Sequence, residues 1–311
     1  LAGCAAGTDS DAGEAATETA ATSDIKICVY THGDGGTFWS VAQAGAEKAG
    51  EDLGITVDYQ GSTNDSARQA AIIEGAVSAD CDGVAASAPD PGAIEQAMLG
   101  LADAGIPTVT MNSGSAVFKD LGAFTHVGQD EIVAGREAGY RFNALGATNI
   151  LCPIQEAANV GLTECCQGAR ETSTGTVTDF NLDGGLQDLT AASAKIKAAL
   201  EADPTIDAIF ALNADIAAKA ALPAAQELGR DLFIGTVDMS EDALNAIAAG
   251  DMEFAIDQQQ YAQGYLSVVL LYLNVTNAHS LGGGLPMYTG PGFVDASNVE
   301  AVIGLVAAGT R

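Results

Sequence analysis

The sequence predicts an α/β protein made of two doubly wound, Rossmann-like lobes, each with a parallel sheet, joined by a hinge of several strands. Short apolar runs alternate with longer stretches of helical periodicity, and this alternation is typical of a parallel sheet with helices on both faces. The series ends near the middle of the chain and then begins again. With 311 residues, the chain is long enough for two cores of ordinary domain size.

The first series predicts an N-terminal lobe. Its predicted strands are the short apolar runs 25–31, 55–59, 83–87 and 108–111. The helical patterns between them are 38–53, 67–78 and 93–104. The boundary of this unit is predicted near residues 126–130.

The second series predicts a C-terminal lobe. Its strands are 149–154, 176–180, 208–212 and 233–236, and its helices are 163–170, 191–201, 214–228 and 241–249. A strand at 254–256, a helix at 264–274, a glycine loop at 282–284 and a strand at 293–294 follow, too few for a third domain. We therefore expect the late elements to complete both lobes, with 24–129 plus 258–290 in the N-terminal lobe and 130–257 plus 291–311 in the C-terminal lobe.

The charge of the chain excludes one class of partner. There are 41 acidic residues and 12 basic residues, which gives a formal net charge of −29. Nucleic acids are bound by basic surfaces, so we expect no nucleic-acid partner. The sequence contains no run of 18 apolar residues, so no membrane-spanning segment is predicted.

The first residues resemble a bacterial lipobox, in which the cysteine after a cleaved signal peptide is acylated. The sequence Leu1-Ala2-Gly3-Cys4 is followed, up to residue 23, by Ala, Gly, Thr, Ser, Asp and Glu only. Such a stretch cannot bury a core and predicts a disordered tether. We therefore expect a secreted protein, lipid-anchored through Cys4 at the outer face of the cytoplasmic membrane or in the periplasm.

Five further cysteines are Cys28, Cys81, Cys152, Cys165 and Cys166. In an oxidising exterior, an odd number leaves at least one thiol unpaired. We predict a disulfide from Cys152 to Cys165 or Cys166. A zinc site of these three cysteines is the alternative, but adjacent cysteines rarely reach one tetrahedral ion and no histidine is near, so no metal is expected.

Polar and aromatic residues follow the predicted strands, where open parallel sheets bind their ligands. These are His32, Asp34, Phe38 and Trp39 after the first strand, Asp90 after the third, Asn112 and Ser113 after the fourth, then Asn213, Asp238 and Gln258 in the second half. Amides and carboxylates suit the hydroxyls of a polyhydroxyl ligand, and a ring stacks on its C–H face. For Asp90 and Asp215, the alternative to a ligand contact is a helix cap, and for Phe38 it is a position in the apolar core.

An enzymatic function is the rival hypothesis, and the motifs do not favour it. The loop from Gly33 begins like a dinucleotide-binding turn, but Phe38 stands where the third glycine belongs. No nucleophile elbow, phosphate loop or zinc-protease motif is present, and His32, His126 and His279 lie on separate segments. We therefore predict no catalysis and no cofactor.

From residue 25 to about 294 the sequence resembles the ribose-binding type of periplasmic solute-binding protein. The resemblance rests on the segments THGDGGTFWSVAQAGAEKAGEDLG, GVAASAPDPGAI, AGIPTVTMN, THVGQDEIVAG, IDAIFALNADIAAKA, IGTVD and FAIDQQQ. It implies a type I periplasmic binding protein fold and a two-lobed receptor that delivers its solute to the permease of an ABC importer. Nothing in the sequence suggests an obligate assembly, so a monomer is expected. A receptor for chemotaxis or signalling has the same fold and stays the alternative.

The resemblance also assigns roles to residues. It implies that Phe38 and Trp39 are the aromatic pair, that Asn112 replaces an acid, and that Asn213, Asp238 and Gln258 are the polar residues of the second lobe. The hinge is implied at 128–130, 256–258 and 291–294. Where ribose binders have an acid followed by Arg, this chain has Asn112-Ser113, and a second Arg is replaced within 163–166. A neutral hexose, another pentose, an inositol or a linear polyol is therefore expected instead of ribose.

Overall fold

The computed structural model describes residues 24–311, so the predicted lipobox, Cys4 and the tether lie outside the described residues. The N-terminal lobe contains the strands β1 (Lys26–Thr31), β2 (Thr56–Gly61), β3 (Gly83–Ala86), β4 (Thr108–Asn112), β5 (Thr125–Gly128) and β11 (Met287–Tyr288). They form a parallel six-stranded sheet in the order β11-β5-β4-β3-β1-β2. Its helices are α1 (Gly36–Leu53), α2 (Ser66–Glu74), α3 (Pro91–Asp103) and α10 (Gln260–Asn277).

The C-terminal lobe repeats this plan. Its strands are β6 (Asn149–Ile154), β7 (Thr176–Asn181), β8 (Ala208–Ala211), β9 (Phe233–Val237), β10 (Phe254–Asp257) and β12 (Gly292–Asp295), in the order β12-β10-β9-β8-β6-β7. Only β12 runs antiparallel to its neighbour in this sheet. Its helices are α4 (Glu131–Leu145), α5 (Val160–Thr172), α6 (Leu189–Ala202), α7 (Ala214–Ile216), α8 (Leu222–Glu227), α9 (Glu241–Ala249) and α11 (Glu300–Ala307).

Each sheet has an apolar core on both faces, as a doubly wound sheet requires. In the N-terminal lobe, one core lies under α2 and α3 and the other under α1 and α10. In the C-terminal lobe, α4 and α5 cover one face, and α6 to α9 with α11 cover the other. The predicted fold class is therefore confirmed. None of the helices within residues 24–311 combines the length and the apolar character needed to cross a membrane.

The helices differ from the prediction in three places. Helices α4 and α11 were not among the predicted elements. The predicted helix 214–228 is α7 and α8 joined by a π-helical turn, Ala217–Ala221. Pro223 follows this turn; because it has no N–H and its ring crowds the carbonyl four residues earlier, regular α-helical bonding cannot run through it.

Two disulfides stabilise the lobes. Cys152 in β6 bonds to Cys166 in α5, one of the two predicted partners, and buried Cys165 is the free cysteine of the described residues. The second bridge joins Cys28 in β1 to Cys81 just before β3, with a Cα–Cα distance of 5.9 Å, and was not predicted. It ties together the start of two neighbouring strands.

The chain crosses between the lobes after β5, after β10 and between β11 and β12. These crossings are bonded to one another. The Thr289 backbone N–H donates to the Gly128 carbonyl at 2.8 Å, and the Thr289 hydroxyl donates to the Gln258 carbonyl at 2.7 Å. The hinge is therefore one hydrogen-bonded unit, although the lobe boundaries predicted within it stay a proposal.

Candidate functional site

A cavity of about 370 Å³ lies between the lobes. Parallel strands end at one edge of their sheet, and the carboxyl ends of both sheets face this cavity. The predicted ligand-binding residues that line it are His32, Asp34, Phe38, Trp39, Asn112, Ser113, Asn213, Asp238 and Gln258. The two halves of the chain thus bring their strand-end residues to one place.

Asp90 does not line this cavity. Its carboxylate caps α3 by accepting from the Ala93 backbone N–H at 3.3 Å. It borders a smaller pocket of about 40 Å³ beside the cleft instead. This placement agrees with the helix-cap alternative for Asp90, because a carboxylate at an N-cap satisfies a free N–H of the first turn.

Aromatic rings form one wall of the cavity. Trp39 meets Phe38 edge to face with 4.8 Å between ring centroids, and it meets His32 at the same separation. Phe38 is buried, whereas Trp39 is partly exposed. A side chain at Gly33 would collide with the Trp39 indole, so a glycine is needed there. This wall offers an apolar face to the C–H groups of a ring.

Two amides lie at the carboxyl ends of strands in different lobes, Asn112 at the end of β4 and Asn213 shortly after β8. The Asn112 Oδ1 accepts from the Ser113 hydroxyl at 2.8 Å, and the Asn213 Oδ1 accepts from the backbone N–H of Asp215 at 2.9 Å. Because these bonds use the carbonyl oxygens, the Nδ2 groups are the donors left for a ligand. The site therefore offers one amide donor from each lobe.

Two carboxyl groups, buried Asp238 and half-buried Glu131, lie on the side of the C-terminal lobe. Asp238 accepts from Gln258 Nε2 at 2.6 Å, and Glu131 accepts from Gln129 Nε2 at 2.9 Å. Burial raises the pKa of Asp238 to about 7 and raises the pKa of Glu131 well above its usual value. Asp238 also has a φ of 69°, in the left-handed region that non-glycine residues rarely adopt. Such backbone strain is found most often at functional sites.

The lobes touch at the mouth of the cavity. The Val160 backbone N–H donates to the Pro89 carbonyl at 3.0 Å, and His32 Nε2 lies 3.8 Å from Glu156 Oε2. Ser87 Oγ is 2.8 Å from His32 Nδ1 and orients the ring. Burial lowers the pKa of His32, so its contact with Glu156 is not a strong ion pair at neutral pH. The described state is a closed cleft.

Several lining residues were missed from the sequence: Thr63, Asn64, Glu131, Gln155, Glu156, Asn159, Cys165, Gln187 and Asp215. Gln155 and Glu156 directly follow β6, and Thr63 follows β2. The expectation that ligand-binding residues follow the carboxyl ends of parallel strands therefore identifies these three residues when it is applied to every strand. The sequence predicts Asp215 as a helix cap, but its neighbour Asn213 caps α7. Glu131 begins α4 and had no signal, because α4 itself was not predicted.

The site has no feature of a metal centre. Within residues 24–311, no group of three or more His, Cys, Asp or Glu side chains is placed to hold a metal ion. Gly35 and Gly36, in the loop that resembled a dinucleotide-binding turn, both have a φ of 70° and line the cavity. This loop leads into α1 and carries Trp39 to the cleft.

Comparisons with known proteins agree with this architecture. A family model described as a periplasmic binding protein domain matches residues 25–278. A carbohydrate transporter from Acidothermus cellulolyticus 11B, solved in complex with myo-inositol, is 38% identical, with a TM-score of 0.89 over 93% of this chain and 100% of that one.

Two curated relatives are more distant in sequence. The ribose import binding protein of Bacillus subtilis is 27% identical over 240 residues, 74% of this chain and 75% of its own length. The xylose/arabinose-binding protein of Sulfolobus acidocaldarius is 22% identical over 293 residues, 88% of this chain and 72% of its own. The resemblance found in the sequence is thus confirmed: the chain belongs to the periplasmic binding protein family, whose members are solute-binding proteins and not enzymes.

Proposed function

We propose that this protein captures a small polyhydroxyl ligand, a cyclitol such as myo-inositol or a monosaccharide of similar size, for an ABC importer. The observation behind the proposal is the interlobe cavity, with an aromatic wall, one amide donor from each lobe and buried acceptors. Among its described lining residues there is no Lys or Arg, which disfavours an anionic ligand. The myo-inositol bound by the Acidothermus protein supports a cyclitol.

Binding is the only step that the site has to perform. The ligand contacts both lobes and stabilises the closed state, because the open state leaves half of those contacts unmade. Each hydroxyl that a wrong epimer leaves unpaired costs about 1–3 kcal/mol, so the cleft selects by stereochemistry. The closed form is then the one that a permease recognises.

Calorimetry with myo-inositol, glucose, xylose, ribose and glycerol tests the ligand class. We expect one of these neutral polyols to bind tightly, and we expect Trp39→Ala to weaken that binding by tenfold or more, because the aromatic wall is lost. Tyr140→Ala is the matched control, since Tyr140 is an exposed aromatic residue on α4 outside the cavity. No binding of any polyol, or equal losses in both variants, would contradict the proposal.

We further propose that the protein is attached to the outer face of the membrane through lipid on Cys4 and meets its permease as a monomer. The support is the lipobox-like sequence and the acidic, apolar-poor stretch up to residue 23. In cells that make the natural precursor, Cys4→Ser is expected to move the protein from the detergent phase to the aqueous phase. Detergent partition that is unchanged in Cys4→Ser would exclude this anchor.

A further inference from the structure

The charged side chains that line the cavity are predominantly acidic. The carboxyl-bearing residues that line it are Asp34, Glu131, Glu156, Asp215 and Asp238. A neutral sugar needs donors as well as acceptors, and buried carboxylates in proteins are normally paired with a cation. The described lining residues provide no Lys or Arg for that purpose.

Three of these carboxyl groups are exposed to solvent or have a partner within the protein. Asp34 is exposed to solvent and accepts from the Thr63 hydroxyl at 2.8 Å. Asp215 is 2.9 Å from the ammonium of Lys219. Glu156 lies beside His32 and accepts from Asn159 Nδ2 at 2.8 Å. None of these three therefore requires a charge from the ligand.

Asp238 and Glu131 have fewer partners than Glu156, because the side chain of each accepts one hydrogen bond, from an uncharged amide. Gln258 Nε2 donates to Asp238, and Gln129 Nε2 donates to Glu131. Both glutamines belong to chain crossings, one after β10 and one after β5. Both residues line the cavity, and we call these two side chains the Asp238–Glu131 pair. A cation beside them favours their ionised forms.

A second observation indicates what this end lacks. The Oε1 atoms of Gln155 and Gln258 are buried without a hydrogen-bond partner, and both residues line the cavity with 4% and 6% of their surface exposed. Their orientation is fixed, because Gln155 Nε2 donates to the Leu212 carbonyl and Gln258 Nε2 to Asp238. The unpartnered atoms are therefore acceptors, and a donor group of the ligand can satisfy them.

We propose that the cleft binds a polyol that bears a protonated amine, an aminocyclitol or an amino sugar, more tightly than the neutral polyol of the same shape. The inference rests on the proposed function, since the amides Asn112 and Asn213 and the aromatic wall are still assigned to a polyol ring. The ammonium lies at the Asp238–Glu131 pair. It supplies three donors and a positive charge where a hydroxyl supplies one donor and no charge.

Two matched pairs of ligands test this inference by calorimetry on the full chain at neutral pH. One pair is scyllo-inositol and scyllo-inosamine, and the other is glucose and glucosamine. The pair that binds more tightly shows whether the ligand is a cyclitol or a sugar. We expect the amine of at least one pair to bind tenfold or more tightly than its neutral partner. If polyols bind and both amines bind no more tightly than their partners, the inference is wrong while the proposed function stands. If none of these compounds and no neutral polyol binds, the proposed function itself fails.

Variants that remove one charge identify the residues that cause the preference for the amine over the neutral polyol. Asp238→Asn and Glu131→Gln keep the shape of the side chains, and each is expected to reduce the amine preference to threefold or less. Asp103→Asn and Glu47→Gln remove the same charges from exposed positions on α3 and α1 and are expected to leave the ratio unchanged. Melting temperatures identify a variant that fails to fold, in which case the other variant decides. An unchanged ratio in a folded variant of the pair would overturn the assignment.

Discussion

At the scale of single residues, the site depends on polar groups that are buried but only partly paired. Asn112 and Asp238 both have positive φ angles, 61° and 69°, at the ends of β4 and β9. Left-handed backbone in such residues costs about 1 kcal/mol or more, which the fold tolerates where a side chain must point in a particular direction. Their position just after a buried strand was visible in the sequence, but their backbone conformation was not.

Asp238 is expected to make the stability of the empty protein depend on pH. Burial raises its folded-state pKa to about 7, whereas an unfolded aspartate titrates near its ordinary value of 3.8. Above pH 7 the folded protein holds a buried charge that destabilises it. As the pH falls from about 7 to about 4, only the folded state takes up this proton, and its stability rises.

Asp238→Asn removes this titration. The variant is expected to be more stable than the parent at pH 8, by on the order of 2 kcal/mol, and to lose that advantage by pH 4. Urea unfolding of the ligand-free protein at both pH values measures the difference, with Asp103→Asn as the exposed control. An advantage that is the same at pH 4 and pH 8 would mean that Asp238 is not titrating in this range.

At the scale of elements, one helix pair in each lobe is packed backbone against backbone. In the C-terminal lobe a side-chain carbon at Gly135 of α4 would collide with the Cys165 carbonyl of α5, and one at Gly168 would collide with the Ile132 carbonyl. In the N-terminal lobe, Gly264 of α10 approaches the Ala42 carbonyl of α1 in the same way. These contacts bring α4 and α5, with Glu131 and Cys165, to the cavity.

Helix α4 was not predicted, and its buried face gives a weak signal in the sequence. Apart from Phe142, that face is made of small residues such as Ala134, Gly135 and Ala138, so it lacks the continuous stripe of large apolar side chains from which an amphipathic helix is recognised. Its partner α5 also buries small residues, and only its middle part, 163–170, was predicted. Periodicity detects burial through side-chain size, and a helix buried through its backbone gives little signal.

Gly135→Ala is expected to lower the free energy of unfolding by about 1–3 kcal/mol, because α4 has to move away from α5. It is also expected to weaken ligand binding, since Glu131 moves with α4. Gly100→Ala in α3 is the matched control: its added carbon meets nothing within 4 Å, and a gain of about 0.5–1 kcal/mol is expected from helix propensity. Equal effects of the two substitutions would show that the close approach is not tight in solution.

At the scale of the whole molecule, the alternation of strands and helices was enough to predict two lobes. The residues at the strand ends of each lobe were enough to predict the side of the binding site that this lobe contributes. The cavity itself was less accessible from the sequence. Which residues face each other depends on the three crossings, and those are joined by bonds between distant residues such as Thr289, Gly128 and Gln258. The Cys28–Cys81 bridge was missed for a similar reason, because its partners are 53 residues apart and become neighbours only through sheet order.

Closure of the lobes is expected to require the ligand. The described contacts at the mouth are a neutral hydrogen bond from Val160 to Pro89 and a His32–Glu156 contact weakened by the low pKa of His32. A neutral hydrogen bond contributes about 0.5–1.5 kcal/mol net, which is too little to hold two lobes together against the freedom of an open hinge. Small-angle X-ray scattering should therefore show a larger radius of gyration without ligand than with a saturating polyol. The Trp39→Ala variant should keep the larger radius of gyration when the polyol concentration is too low for this variant to bind it. A radius that is the same with and without ligand would mean that the lobes are held closed by the protein alone, and selectivity would then lie in access to the cavity instead of closure around its contents.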